Sequence, residues 1–195
     1  DARRWAAEAA DVAERLNCTW WDALHLQWEA SHSRRLGHLD ESAEWLERAY
    51  RLARDRGTIN QLAFVTSNQA ALFWTVGDVD ATYRKIREFS DANRQAADTP
   101  YNPFVLEMAA AVALAWDTPH IGAMLCGAAE EWRRPGGLTE HGMPIPGWDT
   151  ERHEAVVARL KDALGVSGYD RASADGRALG REEAMELALS LTPPD

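Results

Sequence analysis

Three short turns set forty residues apart decide how this chain folds: Gly37-His-Leu-Asp40, Gly77-Asp-Val-Asp80 and Asp117-Thr-Pro-His120. A second series of breaks falls between them with the same spacing, at Asn17, Gly57, Ala97 and Gly137. Two interleaved series with one period divide each repeat into two segments of about twenty residues, which is the length of a helix with its turn. The sequence therefore predicts a tandem array of helical hairpins without β-sheet.

The segments between the turns have helical periodicity. After the first turn, Leu46, Ala49 and Ala53 recur at intervals of three and four, as the buried face of a helix requires. Glu47 and Arg51 stand four apart on another face, in the order that favours a helical ion pair. This segment is therefore predicted to be an amphipathic second helix of a hairpin.

The turn residues suggest how the helices begin and end. Asp40 and Asp80 are expected to cap the helices that follow, because a carboxylate can accept hydrogen bonds from the free amides of a first turn. Gly37, Gly57 and Gly77 are expected to close the preceding helices in the left-handed conformation that glycine tolerates.

Equivalent positions of the repeats hold similar residue types. Small residues lie seven positions before and five positions after the turn, where the two helices of a hairpin would approach each other closely. Large or apolar residues lie nine after, thirteen before and one before it. The five sets are Ala30, Ala70 and Ala110; Ser42, Thr82 and Gly122; Leu46, Ile86 and Cys126; Leu24, Phe64 and Phe104; and Leu36, Val76 and Trp116. This pattern is typical of tetratricopeptide-like repeats, here with helices longer than the common 34-residue period allows.

We therefore predict an all-α, right-handed superhelix of tetratricopeptide-like hairpins with a small C-terminal helical cap. Residues 1–137 form the repeats, residues 138–149 a Pro/Gly-rich linker, and residues 150–195 the cap. The expected helices cover 2–16, 19–36, 40–56, 59–76, 79–96, 101–116, 119–134, 151–164, 168–175 and 180–191. The first of these matches the second half of a repeat with no first half before it, so we expect the chain to be a fragment of a longer protein; the alternative is a natural capping helix.

Composition excludes several classes of function. The 195 residues carry a formal charge of −10, which argues against a surface that binds nucleic acid phosphates. No apolar run approaches the roughly 20 residues that span a bilayer, and no secretory signal opens the chain. The two cysteines, Cys18 and Cys126, form no disulfide framework, so a cytoplasmic location is expected.

Three segments of the tail occur in a suggestive order: Gly127-Ala-Ala-Glu-Glu-Trp-Arg133, Leu160-Lys-Asp-Ala-Leu-Gly165 and 176–189. Together they resemble the C-terminal repeat region of large actinobacterial transcriptional regulators. In that family a STAND-type signalling ATPase precedes tetratricopeptide repeats, often with a LuxR-type helix-turn-helix or a class III cyclase domain. Members usually carry Ser or Thr where Gly180 stands, as the cap of the last helix; Gly is a weaker but acceptable cap.

The resemblance implies a sensor arm that binds a small effector, a peptide or a protein and thereby controls an upstream ATPase domain. The chain contains no G-x-x-x-x-G-K-[ST] motif and no helix with a basic recognition face. We therefore expect a non-catalytic module with no cofactor and no direct contact with nucleic acid or membrane. Two alternatives stay open: a scaffold that dimerises through an uncovered apolar flank of residues 2–16, and an unrecognised helical enzyme.

The first helices of such hairpins line the concave face of the stack, so their polar residues are the candidate binding residues. In this register the face carries Gln27, Ser31, Arg34, Ser67, Trp74 and Glu107. An arginine, an amide and an aromatic ring could hold a peptide or a polar ligand. The alternative is an ordinary solvated face. The second hairpin is also rich in amides, which could form a buried network or face water: Asn60, Gln61, Asn68 and Gln69.

One cluster has the spacing of a metal site. His25, Glu29 and His32 fall on about one helical face. The positions equivalent to the two histidines in later repeats are apolar, so we expect packed or boundary histidines and predict no metal site. Cys126 is expected to be buried and inert, and no catalytic residue is predicted.

Overall fold

The computed structural model describes residues 8, 12, 15, 19–94, 102–133 and 150–194. Within these residues the chain is all-helical, with no strand. The helices are α1 (Thr19–Arg35), α2 (Leu39–Arg56), α3 (Ile59–Thr75), α4 (Val79–Arg94), α5 (Asn102–Ala115), α6 (Pro119–Arg133), α7 (Thr150–Leu164), α8 (Val166–Arg177) and α9 (Arg181–Leu189). The predicted helix 2–16 and linker 138–149 lie outside the described residues, apart from Glu8, Val12 and Arg15, which are helical and exposed.

The helices pack as three consecutive hairpins. Helix α1 packs mainly against α2, α3 against α4, and α5 against α6. Neighbouring hairpins meet through α2 with α3 and α4 with α5, and the first helices also touch one another, α1 with α3 and α3 with α5. The predicted array of helical hairpins with a 40-residue repeat is therefore confirmed, while the handedness of its superhelix stays a prediction.

The three turns that define the repeat share one backbone conformation. Gly37, Gly77 and Asp117 have positive φ angles of 83°, 81° and 56°. In each turn the next amide donates to a carbonyl five residues back, a closure typical of a helix that ends on a left-handed residue. These bonds are His38 N to Ser33 O (2.9 Å), Asp78 N to Phe73 O (3.0 Å) and Thr118 N to Ala113 O (2.8 Å).

Two predictions about helix ends are wrong. Gly57 is extended, with φ −87° and ψ 177°, and a Cβ there would overlap the Ala53 carbonyl; glycine is needed for space and not for a left-handed conformation. Asp40 and Asp80 lie inside the first turns of α2 and α4 and do not cap them. The carboxylate that caps α4 is Asp78, whose Oδ1 accepts from Ala81 N at 2.8 Å.

The predicted close approach within hairpins is confirmed. The small residues of all three repeats are buried: Ala30, Ala70, Ala110, Ser42, Thr82 and Gly122. Ser42 Oγ donates to Ala30 O at 2.8 Å in the first hairpin. In the third hairpin a Cβ on Gly122 would lie 3.0 Å from Ala110 O, so a side chain there would crowd the facing backbone. Small side chains thus let the backbones of each hairpin come into contact.

The large residues of the pattern behave differently from one set to another. The sets nine after and thirteen before the turn are buried, as predicted: Leu46, Ile86, Cys126, Leu24, Phe64 and Phe104. In the set directly before the turn, only Trp116 is buried. Leu36 and Val76 are 56% and 51% exposed, so their assignment to the packing pattern is wrong.

First and second helices differ in how much of their surface is covered. Helix α3 is buried on every side from Ala63 to Leu72, and α5 from Pro103 to Ala113. Helices α2 and α4 instead bury one face and present charged residues on the other. A helix enclosed in this way has to be almost free of charge, and Glu107 is the single charged residue in α5.

The C-terminal helices close the stack at the third hairpin. Helix α8 crosses α6 closely, because a Cβ on Gly127 would overlap Ser173 O and a Cβ on Gly176 would overlap Met124 O. It is longer than the predicted 168–175. Helix α9 packs on α5 and α6. No helix in the described ranges is both long and apolar enough to cross a membrane.

Candidate functional site

The six residues predicted to line a groove do not share an open surface. Gln27, Arg34, Ser67 and Glu107 are buried, whereas Ser31 and Trp74 are half-buried. The expectation of an exposed groove is therefore wrong for the first four side chains. Ser67 and Glu107 lie on α3 and α5, which are enclosed by their neighbours. Gln27 and Arg34 lie on α1 and are buried against α3, where they find the polar partners Asn68 and Thr75.

Gln27 lies in a network of amides between the first two hairpins. Asn68 Nδ2 donates to Gln27 Oε1 at 3.0 Å and to Phe64 O at 3.1 Å. Gln27 Nε2 in turn donates to Ala23 O at 3.1 Å. These bonds satisfy a pair of buried amides that are 41 residues apart, and they tie α1 to α3. The amides of the second hairpin thus divide between the two alternatives: Asn68 lies in a buried network, whereas Asn60 is exposed. Gln61 and Gln69 are buried, and Gln61 Oε1 accepts from Thr58 N at 2.7 Å.

A second polar contact joins the same two helices at their C-terminal ends. Arg34 Nη1 donates to Thr75 Oγ1 at 3.4 Å, and these residues are also 41 apart. Thr75 Oγ1 donates to Ala71 O at 2.8 Å. The contact lies at the last turns of α1 and α3, so it brings the two left-handed turns of the first and second hairpins side by side.

We name the surface around this contact the turn edge; it comprises Arg34, Leu36, Trp74, Thr75 and Val76. Its two aliphatic side chains are more than half exposed, its indole is half-buried, and its guanidinium is held between the helices. Tryptophan is among the side chains that most often dominate binding energy in protein interfaces, whereas the buried Arg34 acts by holding the two turns together. The exposed Leu36 and Val76 add aliphatic surface to that of the half-buried Trp74.

The third turn shows the same edge covered by the chain itself. Tyr83 of α4 packs on Trp116 with the ring centroids 4.8 Å apart at 71°. The Tyr83 hydroxyl donates to Leu189 O at 2.8 Å, and its burial raises the pKa of Tyr83. In the first hairpin the position equivalent to Tyr83 is Ala43, whose methyl group is too small to cover Val76. The chain therefore closes one turn of the row and leaves the other two open.

Glu107 links the repeats to the C-terminal helices. Its carboxylate is 1% exposed, and its Oε1 lies 3.3 Å from His153 Nδ1 on α7. The imidazole side chain is 27% exposed, so it stands at the boundary between the interior and solvent. A carboxylate in the interior is stabilised by nearby polar groups, and the imidazole of His153 is one such neighbour of Glu107.

A polar cluster joins the second helices on the other side of the stack. Tyr50 of α2 donates to Glu88 Oε1 at 2.6 Å, and Lys85 donates to Glu88 Oε2 at 2.6 Å. The Lys85 ammonium also lies 4.8 Å from the centre of the Tyr50 ring. The hydrogen bond to the Glu88 carboxylate raises the pKa of Tyr50 to about 12. The cluster holds α2 against α4 and keeps this tyrosine neutral.

The remaining candidate ligands are dispersed. His25 and Glu29 are half-buried and His32 is exposed. In the part of the chain that the structure describes, no three or more His, Cys, Asp or Glu side chains are arranged to hold a metal ion. Cys126 is buried, as predicted, whereas Cys18 lies outside the described residues.

Sequence reasoning missed the turn edge as a unit, although it named Arg34 and Trp74. The recurrence of Leu36 and Val76 directly before the left-handed turns was visible in the sequence, but it was assigned to packing and not to an exposed surface. No family model, curated protein or solved structure matches this chain significantly. The family resemblance of the tail therefore stays a prediction.

Proposed function

We propose that this chain is a non-catalytic interaction module that binds a protein or peptide through the turn edge. The observation that carries the proposal is the exposure of Leu36 and Val76 on two turns held together by the Arg34–Thr75 contact. Burying two aliphatic side chains and completing the burial of an indole would release water from apolar surface at the centre of a complex.

The third turn indicates what kind of partner fits. There, Tyr83 covers Trp116, and the Tyr83 hydroxyl donates to Leu189 O at the end of α9. A segment of another domain that presents apolar side chains and free carbonyls could occupy the open turns in a similar way. The rigid stack would keep the two turns in register for such a partner, which lowers the entropic cost of binding.

The resemblance of the tail supplies the biological setting of the proposal. We infer that the module is the sensor arm of a cytoplasmic transcriptional regulator, and that its partner is the STAND-type ATPase domain of the same protein. An effector or partner protein that competes for the turn edge would then release or restrain the ATPase. Support comes from the tail segments themselves, since Gly127 and Gly176 fold as the closing end of a repeat stack.

A binding experiment tests both halves of this proposal. The ATPase domain encoded upstream in the same reading frame is titrated with the purified chain by calorimetry. We expect binding that Leu36→Glu and Val76→Glu each weaken by about tenfold or more, since a buried charge opposes an apolar contact. Val166→Glu is the matched control, because Val166 is 63% exposed on α8, in the C-terminal cap.

Two results would contradict the proposal in different ways. A reading frame without an ATPase domain removes the sensor-arm setting but not the interaction surface. Equal binding by wild type and by both turn-edge variants removes the surface. Hydrolysis of ATP by the isolated chain would contradict its non-catalytic role.

The alternative function, a homodimer formed through residues 2–16, falls largely outside the described residues. Of that segment, Glu8, Val12 and Arg15 are described, and all three are exposed. Light scattering over a dilution series separates the alternatives, because a dimer dissociates on dilution whereas a monomer keeps one mass.

A further inference from the structure

The two open turns of the stack share a carboxylate at one position of the repeat. Four residues after the exposed Leu36 and Val76 stand Asp40 and Asp80, and both aspartates are exposed. At the third turn, which the chain closes itself, the equivalent residue is His120. The carboxylate therefore accompanies the open turns and does not belong to every turn of the array.

Helix stability does not account for this recurrence. Asp40 and Asp80 lie inside the first turns of α2 and α4, and the carboxylate that caps α4 is that of Asp78. An acidic residue in a first turn also interacts favourably with the helix dipole, but α6 starts after an equivalent turn and has none in its first turn. The carboxylate of the third turn, Asp117, stands instead at the position of the turn glycines. The two recurring aspartates thus supply charge beside the exposed aliphatic side chains.

The charge around the two open turns is predominantly negative. With His38 counted as neutral, residues 34–41 and 74–81 contain four carboxylates and two guanidinium groups: Asp40, Glu41, Asp78, Asp80, Arg34 and Arg35. The four acidic residues and Arg35 are exposed, whereas Arg34 is buried and donates to Thr75. Helix α3, which ends at the second turn, carries no charged residue. A segment that approaches these turns therefore meets apolar side chains bordered by negative charge.

The opposite end of the first hairpin has a different charge. The last turns of α2 expose Arg51, Arg54 and Arg56, with one acidic residue, Asp55, among them. The negative charge is thus placed at the turns and is not spread evenly over a chain whose formal charge is −10. Two copies that met through their turn edges would bring like charges together, so a second copy is not the partner that this surface favours.

We infer that the turn edge receives a segment in which lysine or arginine residues flank aliphatic or aromatic ones. This inference rests on the proposed function, because it names the chemistry of the partner at that same surface. The apolar residues of the segment cover Leu36, Trp74 and Val76, and its cations lie beside Asp40 and Asp80. Such complementary charge speeds association and excludes acidic partners, while the apolar centre supplies most of the affinity.

A peptide selection tests the inference without assuming which protein is the partner. A library of short random peptides is first depleted on the Leu36→Glu/Val76→Glu variant and then selected on the wild-type chain. The variant keeps every carboxylate and loses the apolar centre, so depletion removes peptides that are attracted by charge alone. We expect the selected peptides to combine a net positive charge with aliphatic or aromatic residues.

Variants of the two recurring aspartates then test the selected peptides by calorimetry. Asp40→Lys/Asp80→Lys should weaken their binding about tenfold, and Asp40→Asn/Asp80→Asn, which keeps the shape of the side chains, about threefold. The matched control is Asp162→Lys/Asp170→Lys, which changes the net charge equally at exposed positions of α7 and α8 and should alter the affinity by less than about twofold. Added salt should weaken binding to the wild type more than to the Asp40→Lys/Asp80→Lys variant.

The inference and the proposed function fail in different ways. Selected peptides that depend on Leu36 and Val76 but are neutral or acidic would overturn the basic partner and leave the interaction surface in place. Equal binding by the wild type and the Asp40→Lys/Asp80→Lys variant would have the same meaning. A selection that yields no peptide dependent on Leu36 and Val76 would overturn the surface itself, and the inference with it.

Discussion

The contact between α1 and α3 and the next position along the stack use the same places in the repeat with different chemistry. In the first, Gln27 pairs with Asn68; forty residues further on, the equivalent positions of α3 and α5 hold Ser67 and Met108. Likewise Arg34 meets Thr75, and the equivalent positions hold Trp74 and Ala115. The contact between the first two hairpins thus contains side-chain hydrogen bonds, whereas the equivalent positions of the next contact are mostly apolar.

This difference parallels the exposure of the turns. Leu36 and Val76 at the first two turns are exposed, whereas Trp116 at the third turn is buried beneath Tyr83, whose hydroxyl donates to Leu189 O. Polar contacts set a register because a misaligned buried amide loses its partner, and apolar packing tolerates more adjustment. The comparison indicates that the third turn is closed by the chain itself, whereas polar contacts hold the first two turns in a fixed position with their aliphatic residues exposed.

The largest effect is expected at the closed end. Gly176→Ala places a Cβ into the backbone of α6 at Met124 O, which cannot move away without separating the helices. We expect a loss of about 3 kcal/mol or more in the free energy of unfolding, measured with urea. Gly168→Ala on the same helix is the control: its Cβ would meet only Leu164 Cβ, at 3.3 Å, and it should be nearly neutral. Equal losses in the two variants would contradict the close crossing.

The next effect tests the polar joint. Asn68→Ala leaves the buried Gln27 amide without its partner and should cost about 2 kcal/mol of stability. Replacing both residues by leucine, which makes this contact resemble the next one along the stack, should recover most of that loss. Asn60→Ala, on the exposed face of α3, should change stability by less than about 0.5 kcal/mol. If the double variant proves as unstable as the single one, the two contacts are not interchangeable in this way.

A smaller effect of opposite sign is expected at the third turn. Asp117 takes a φ of 56° where Gly37 and Gly77 stand in the other repeats, so Asp117→Gly should raise stability by about 0.5 kcal/mol. Gly77→Ala should lower it by about 1 kcal/mol, because its neighbourhood is open and the φ of 81° alone disfavours a side chain. Thermal melting of the two variants measures both changes. A destabilised Asp117→Gly variant would contradict this expectation, because it would show that the aspartate side chain stabilises the turn.

The smallest effects are confined to alkaline pH and again contrast the two halves. The pKa of Tyr50 is raised to about 12 mainly by its hydrogen bond to Glu88, and that of Tyr169 to about 12 mainly by burial. Since both values exceed the ordinary 10, the neutral forms stabilise the fold below pH 10, and this contribution is lost as the pH rises toward 12. Glu88→Gln should return the pKa of Tyr50 toward 10 and leave Tyr169 unchanged, as followed by phenolate absorbance with Tyr→Phe variants for assignment. A shift in both tyrosines would argue against separate causes.

The hairpin array could be predicted because its information is local. A left-handed turn residue and two small residues at fixed distances suffice to place both helices of a hairpin, and Ala30, Ser42 and Gly37 do this in the first repeat. The prediction for the cap of α4 was wrong for an equally local reason. The residue directly after the left-handed Gly77 caps the next helix, and that residue is Asp78 and not Asp80. The sequence pattern specifies the repeat better than the ends of its helices.

The candidate site could be predicted only in part, because its partners are distant in sequence. A polar residue on a first helix has the same local signature whether it faces water or a helix of the next hairpin, and Gln27 and Arg34 do the latter. The signal that would have identified these buried residues is a second polar residue 41 positions later, and not the 40 positions of the repeat. The pairing of Glu107 with His153 has no such signal, since the two lie on either side of the predicted linker.

The enclosure of α3 has a consequence for how the stack comes apart. Its surface from Ala63 to Leu72 is covered by helices of more than one hairpin. The helix is therefore expected to be stable only when these neighbouring helices are folded. Arrays in which each repeat contacts only its immediate neighbours can unfold one repeat at a time from an end. Here the shared central helix makes unfolding of the first two hairpins a single cooperative event, and a cut at Gly57 would melt both sides together.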